Sequence, residues 1–213
     1  QKTAYEIKEC DWSSDVCSSD LLAERVGAIA SSLAPAAVER IDVEARGEIA
    51  DHDVRVLELS ALKGVFQVLV HDPVSYVNAP ILAQQRGVEV ALTSDSVSED
   101  HRSLVRVSLT LTDGSRVSVA GTVSGPRNAA KIVEVDGYDV DVPVSDHMIF
   151  LRYEDRPGVV GVVGRVLGEA GVNIGGMQVS RDDRGHALIV LTVDSAVDQE
   201  QVQSIVAEIG AQA

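Results

Sequence analysis

The chain has 213 residues, enough for two small domains, and 33 acidic against 18 basic residues give it a net charge of −15. That surplus of negative charge repels nucleic acid and anionic membrane surfaces and favours a cytoplasmic protein. No apolar run approaches the roughly 20 residues of a membrane-spanning helix, and no signal-peptide pattern is present.

The first 21 residues stand apart from the rest. The run Asp11-Trp12-Ser13-Ser14-Asp15-Val16-Cys17-Ser18-Ser19-Asp20-Leu21 is similar, codon by codon, to a translated sequencing-library adapter, and Gln1 to Ile7 match a flow-cell primer in the same frame. Lys8, Glu9 and Cys10 fall where a variable index would sit. Residues 1–21 are therefore expected to be an artefactual, disordered segment outside the fold. Both cysteines and the tryptophan lie there, so the remainder has no thiol, and neither disulfides nor cysteine-ligated metals are expected in it. Lys2 and Lys8 leave with Glu6, Glu9, Asp11, Asp15 and Asp20, so the remainder has a net charge of −12.

A helix is predicted over residues 22–34, where Leu22, Val26, Ile29, Ala30 and Leu33 share a face and Pro35 stops the run. Val38, Ile41, Val43 and Ala45 mark a strand that ends at Gly47. A second helix after Asp51 carries Val54, Leu57, Leu59, Leu62, Val65, Phe66 and Leu69, with Gly64 tolerated inside it; a third spans Asn78 to Arg86 and closes at Gly87. From Val88 the period changes to two: Val105, Val107, Leu109 and Leu111 alternate with polar residues, Asp113-Gly114 turns the chain, and Asp136-Gly137 signals another hairpin. Residues 22–143 thus read as an α+β domain with a mostly antiparallel sheet, and a short linker ends at Asp146.

The last segment, 147–213, reads strand (148–153), helix (157–170), strand (174–181), turn at Asp183-Arg184-Gly185, strand (187–193), helix (198–208). That βαββα order belongs to a ferredoxin-like unit whose final strand is very short or missing. Its first corner, Tyr153-Glu154-Asp155-Arg156-Pro157-Gly158, carries chemistry. Asp155 is expected to cap a helix with Pro157 in its first turn, and Val159, Val162, Val163, Val166, Leu167 and Ala170 form one apolar face up to Gly171. Free N–H groups at a helix start suit a carboxylate, and Asp155 suits an ammonium group; a free amino acid carries both.

Taken together, these features resemble the C-terminal regulatory half of the long bacterial form of D-3-phosphoglycerate dehydrogenase. Leu59-Ser60-Ala61-Leu62-Lys63-Gly64, Val77-Asn78-Ala79-Pro80, His101-Arg102-Ser103, Gly121-Thr122-Val123-Ser124-Gly125-Pro126 and Lys131-Ile132 are similar to its intervening, allosteric substrate-binding domain. Residues 147–213, with their Asp-Arg-Pro-Gly turn, are similar to an ACT domain. The resemblance implies a homo-oligomer paired through ACT domains and an L-serine effector site at their interface, with Tyr153, Asp155 and Asn173 as ligands and main-chain groups near Arg156, Pro157 and Gly158. It also implies an anion site containing Lys131; Pro143 and Thr192 stand where that site's arginines are expected, which leaves it weak. Lys63, His101 and Arg102 are further candidates for a phosphate pocket.

In that family NAD binds a doubly wound catalytic domain. This sequence has no Gly-x-Gly-x-x-Gly after a strand, and its five histidines lack metal-type spacing, so no catalytic residue, metal or cofactor is expected in it. Two alternatives remain open: part of an iron–sulfur L-serine dehydratase, and a free-standing ACT-type amino-acid sensor.

Overall fold

The computed structural model describes residues 14–98, 100–125 and 128–211, with side chains from Ser19 onward. Helix α1 runs over Ser14–Leu33, so it begins eight residues before the expected start at Leu22. Residues 14–21, expected to be disordered, are helical: neither Gly nor Pro interrupts them, and an anchored helix extends at one hydrogen bond per added residue. Residues 1–13 lie outside the described residues.

Strand β1 (Val38–Gly47) is followed by a short 3-10 turn at Glu48–Asp51, then helices α2 (Arg55–Leu69) and α3 (Ala79–Gln85). Strands β2 (Glu89–Asp95), β3 (Ser103–Leu111), β4 (Arg116–Ser124), β5 (Ala129–Val135) and β6 (Tyr138–Pro143) complete a six-stranded sheet in the order β2-β1-β3-β4-β5-β6. It is antiparallel except for β1 and β2, which pair in parallel because the α2–α3 crossover carries the chain back to the end where β1 began.

Alternation decides which face of this sheet is dry. Ile41, Val43, Val107, Leu109, Val119 and Ile132 bury against Leu22, Val26, Leu62, Val65 and Phe66 of α1 and α2. Their strand neighbours Glu44, Arg106 and Glu134 form ion pairs on the other face. The two helices cross at Gly27 and Gly64: a Cβ on Gly64 would lie 1.9 Å from the Glu24 carbonyl oxygen, and one on Gly27 would lie 2.4 Å from that of Ala61. Gly64 is therefore not merely tolerated in α2. It lets two backbones touch.

The second unit contains β7 (Met148–Glu154), α4 (Val159–Glu169), β8 (Ile174–Arg181), β9 (His186–Val193) and α5 (Gln199–Ile209), with the antiparallel order β7-β9-β8. Leu151, Tyr153, Ile189 and Leu191 pack beneath Val163, Leu167 and Ile205 of the helices. The opposite face sends Leu188 and Val190 into the core of the first unit, with Met148 and Phe150 beside them. Both helices have defined ends. Val172 N–H and Gly171 N–H return to the carbonyls of Leu167 and Gly168 after α4, and Asp198 and Gln201 form a reciprocal capping box at α5. Among the described residues no helix is long and apolar enough to cross a membrane.

The start of α4 differs from expectation. Its N-cap is Gly158, at φ 94 and ψ −15, and no side chain caps it, so Asp155 is not the cap and Pro157 is not in the first turn. Those angles are those of the third residue of a type II turn, which needs positive φ and has Pro favoured just before it. The Pro-Gly pair thus makes a turn ahead of the helix and displaces its start to Val159.

Candidate functional site

The corner after β7 is assembled by three strand ends. Tyr153 of β7 and Arg181 of β8 both pair with Ala187 of β9, one from each side, so the three form a row across the sheet. Tyr153 is buried, and burial, followed by the nearby Asp155 charge, pushes its phenol pKa upward. Asp155 is fixed by its own N–H, which donates to the Gly185 carbonyl at 2.9 Å. Its Oδ2 accepts from Nε of Arg181 at 2.7 Å. Beyond it, Gly158 supplies the first helical acceptor, to Val162 N–H at 3.1 Å, and the first-turn N–H groups of α4 follow directly. Arg156 turns away, donating from Nη2 to the Glu208 carbonyl in the last turn of α5 at 3.2 Å, where a cation complements the helix end.

Asn173 lies elsewhere. Its N–H donates to Asp194 Oδ1 at 3.0 Å and its carbonyl accepts from Asp194 N–H at 3.1 Å, which fixes the entry to β8. Tyr153, Asp155, Arg156, Pro157 and Gly158 cluster at the end of β8 marked by Arg181, whereas Asn173 precedes its beginning. The strand's eight residues separate the two groups by roughly 25 Å. One chain does not bring them together.

The candidate anion residues are also dispersed. Lys63 of α2 pairs with Glu24 at 2.8 Å and lies over the Tyr76 ring at 4.8 Å. Lys131 pairs with Asp141 at 2.8 Å, and Arg102 with Glu48 at 2.6 Å. His101 sits in the loop before β3. Pro143 lies opposite Lys131 in the ladder, and Thr192 lies opposite Gly176 on the central strand. Lys63, Arg102 and Lys131 are thus each paired with a separate carboxylate, on α2, in the loop before β3 and on β5. No cluster of three or more His, Cys, Asp or Glu side chains suited to a metal ion occurs among the described residues.

Sequence reading did not anticipate the cleft between the two units, about 630 Å³ in volume, lined by Tyr138, Arg152, Arg181, Asp182, Arg184 and His186. Arg152 pairs with Asp136 and lies over the Tyr138 ring at 5.9 Å; the Tyr138 hydroxyl donates to Asp182 Oδ2 at 3.0 Å. N–H groups of His186 and Arg184, with the Tyr138 hydroxyl, hold the Asp182 carboxyl below its ordinary range. Arg152 shares its face of β7 with Met148 and Phe150, the face turned toward the first unit.

Comparison with known proteins follows the same two-unit division. Residues 21–136 match the family model described as "D-3-phosphoglycerate dehydrogenase intervening domain", and residues 147–213 match the ACT domain. The chain is similar to D-3-phosphoglycerate dehydrogenase of Mycobacterium leprae, 42% identical over 188 residues that cover 88% of this chain and 36% of that protein. The Mycobacterium tuberculosis protein of that name (strain H37Rv) is 40% identical over 191 residues, 89% of this chain and 36% of its own length. That of Synechocystis is 33% identical over 175 residues, 81% of this chain and 31% of its own length. The chain therefore spans about a third of the relatives it matches.

Proposed function

The chain belongs to the D-3-phosphoglycerate dehydrogenase intervening-domain family and carries an ACT domain behind that unit; from this we propose that it is the effector-binding part of such a dehydrogenase, with L-serine as its ligand. In this reading the NAD-dependent oxidation of 3-phosphoglycerate belongs to catalytic domains outside these residues. This part senses the pathway's product.

The observation that carries the proposal is the separation of the half-sites along β8. That strand pairs with β9 on one side and with no other strand among the described residues, and Gly175 and Met177 along it are exposed. If two chains joined these edges antiparallel about a twofold axis, Asn173 of one would lie beside Asp155 of the other. Two complete sites would result. Pairing through β7 instead would leave Asn173 two strands away, roughly 10 Å off across the sheet. At each joint, Asp155 would take the serine ammonium, α4 N–H groups would face the carboxylate, and the Asn173 amide offers both donor and acceptor to the hydroxyl.

A ligand that needs both half-sites binds one arrangement of the paired chains better than any other, and that differential affinity is the means of control. Calorimetric titration of the full chain with L-serine, against D-serine and L-alanine, tests the proposal. Binding of L-serine with two sites per dimer is expected; no heat at millimolar ligand, with folded dimeric protein, contradicts it.

A further inference from the structure

Arg181 closes β8 with its guanidinium against Asp155, Nε to Oδ2 at 2.7 Å. This contact uses one of five guanidinium donors and one of two carboxylate oxygens. The terminal nitrogens of Arg181 and Oδ1 of Asp155 make no other hydrogen bond or ion pair among the described residues. Arg181 also shares the cross-strand row with Ala187 and the buried Tyr153, so its position is set by the sheet ladder rather than by a loop.

Three neighbouring charged groups are engaged elsewhere. Arg156 is turned to the Glu208 carbonyl, Asp182 accepts from Tyr138 and from backbone N–H groups, and His186 is 3.5 Å from Asp182 and opposite Glu154 in the ladder. On a chain with net charge −15, a bound carboxylate needs a local cation, and Arg181 is the side chain in contact with Asp155 that supplies one.

We propose that Arg181 is a specificity-determining residue of the effector site, holding the α-carboxylate of an amino acid through its terminal nitrogens while Oδ1 of Asp155 takes the ammonium. The inference rests on the reading of Tyr153, Asp155 and Asn173 as an amino-acid site. An ion pair with a free edge on each partner is a fixed dipole complementary to a zwitterion, and planar guanidinium geometry matches a carboxylate. The ligand class is accordingly a free α-amino acid with both charges; amides, esters and simple amines bind more weakly.

The test is calorimetric titration of wild-type, Arg181→Gln and Arg181→Lys full chains with L-serine and with L-serinamide, which keeps the ammonium and loses the carboxylate charge. Wild type should prefer L-serine, and Arg181→Gln should weaken L-serine by about tenfold or more, as expected for a charge-assisted bond, while leaving L-serinamide unchanged or tighter. Arg181→Lys should fall between them. Equal weakening of both ligands, or L-serine bound by Arg181→Gln as tightly as by wild type or more so, overturns the role of Arg181 and leaves the serine site standing. Absence of L-serine binding by wild type overturns both.

Discussion

Replacing Gly64 with alanine should destabilise the first unit, although alanine is the better helix former. The added methyl would lie 1.9 Å from the Glu24 carbonyl oxygen, 2.8 Å from its carbonyl carbon and 3.0 Å from the Ala28 nitrogen. Carbon approaches a carbonyl oxygen to roughly 3.3 Å, so α1 must retreat by roughly 1.4 Å along that contact. Every obstructing atom is backbone, so no rotamer change relieves the clash. Retreat also loosens Leu22, Val26 and Ala30, each at most 1% exposed, from the core they fill. Overpacking against backbone costs about 3 kcal/mol and the helix gains about 1 from losing a glycine, for a net loss of about 2 kcal/mol. Gly164 of α4 is the matched control, since nothing lies within 4 Å of its Cβ position; alanine there should stabilise by about 1 kcal/mol. Urea unfolding followed by far-UV circular dichroism reads both. Equal midpoints for the two variants would refute the account of the α1–α2 crossing.

Burial raises the Asp20 carboxyl to about 6, and its Oδ1 is buried without a hydrogen-bond partner. Because the folded state holds this proton more tightly than the unfolded chain, the stabilising contribution is present below the ordinary value of 3.8 and is lost as pH rises through about 6. Asp20→Asn should therefore exceed wild type in stability near pH 7 by about 1 kcal/mol, allowing for solvent screening, and match it near pH 4; a pH-independent difference in urea midpoints contradicts this. Tyr138→Phe removes the hydroxyl that joins the two units at Asp182, and should cost about 1 kcal/mol while speeding limited proteolysis at residues 143–147. Unchanged cleavage would show that this bond does not hold the units together. Asp155→Ala should abolish L-serine binding yet change stability by less than about 1 kcal/mol, because its partner Arg181 is exposed and it caps no helix.

Much of the fold was legible because burial imposes its period on the chain. Strands such as β3 and β9 alternate cleanly or run apolar, and turns at Asp113-Gly114 and Asp136-Gly137 need the positive φ that Gly114, Asp136 and Gly137 adopt. What escaped depends on approach between distant segments. Gly64 looks like a weak point in a helix until α1 lies across it. Pro157-Gly158 suits a helix start as well as a type II turn, and only the angle at Gly158 distinguishes them. Tyr153, Asp155 and Asn173 were legible as candidates, but their separation along β8 follows from the ladder register, in which Arg181 and Ile174 fall at opposite ends. Arg181 carried no sequence signal, since a lone arginine at a strand end is common on any surface.

Mixing two defective chains tests the shared site most directly. Asp155→Ala and Asn173→Ala homodimers should each fail to bind L-serine, since every joint lacks one half. After unfolding and refolding together in equal amounts, half the dimers should be mixed, and each mixed dimer regains one intact joint of two. Titration should then recover about one quarter of the wild-type sites at wild-type affinity. No recovery from correctly mixed dimers, or full binding by either single variant, would contradict a site built across two chains.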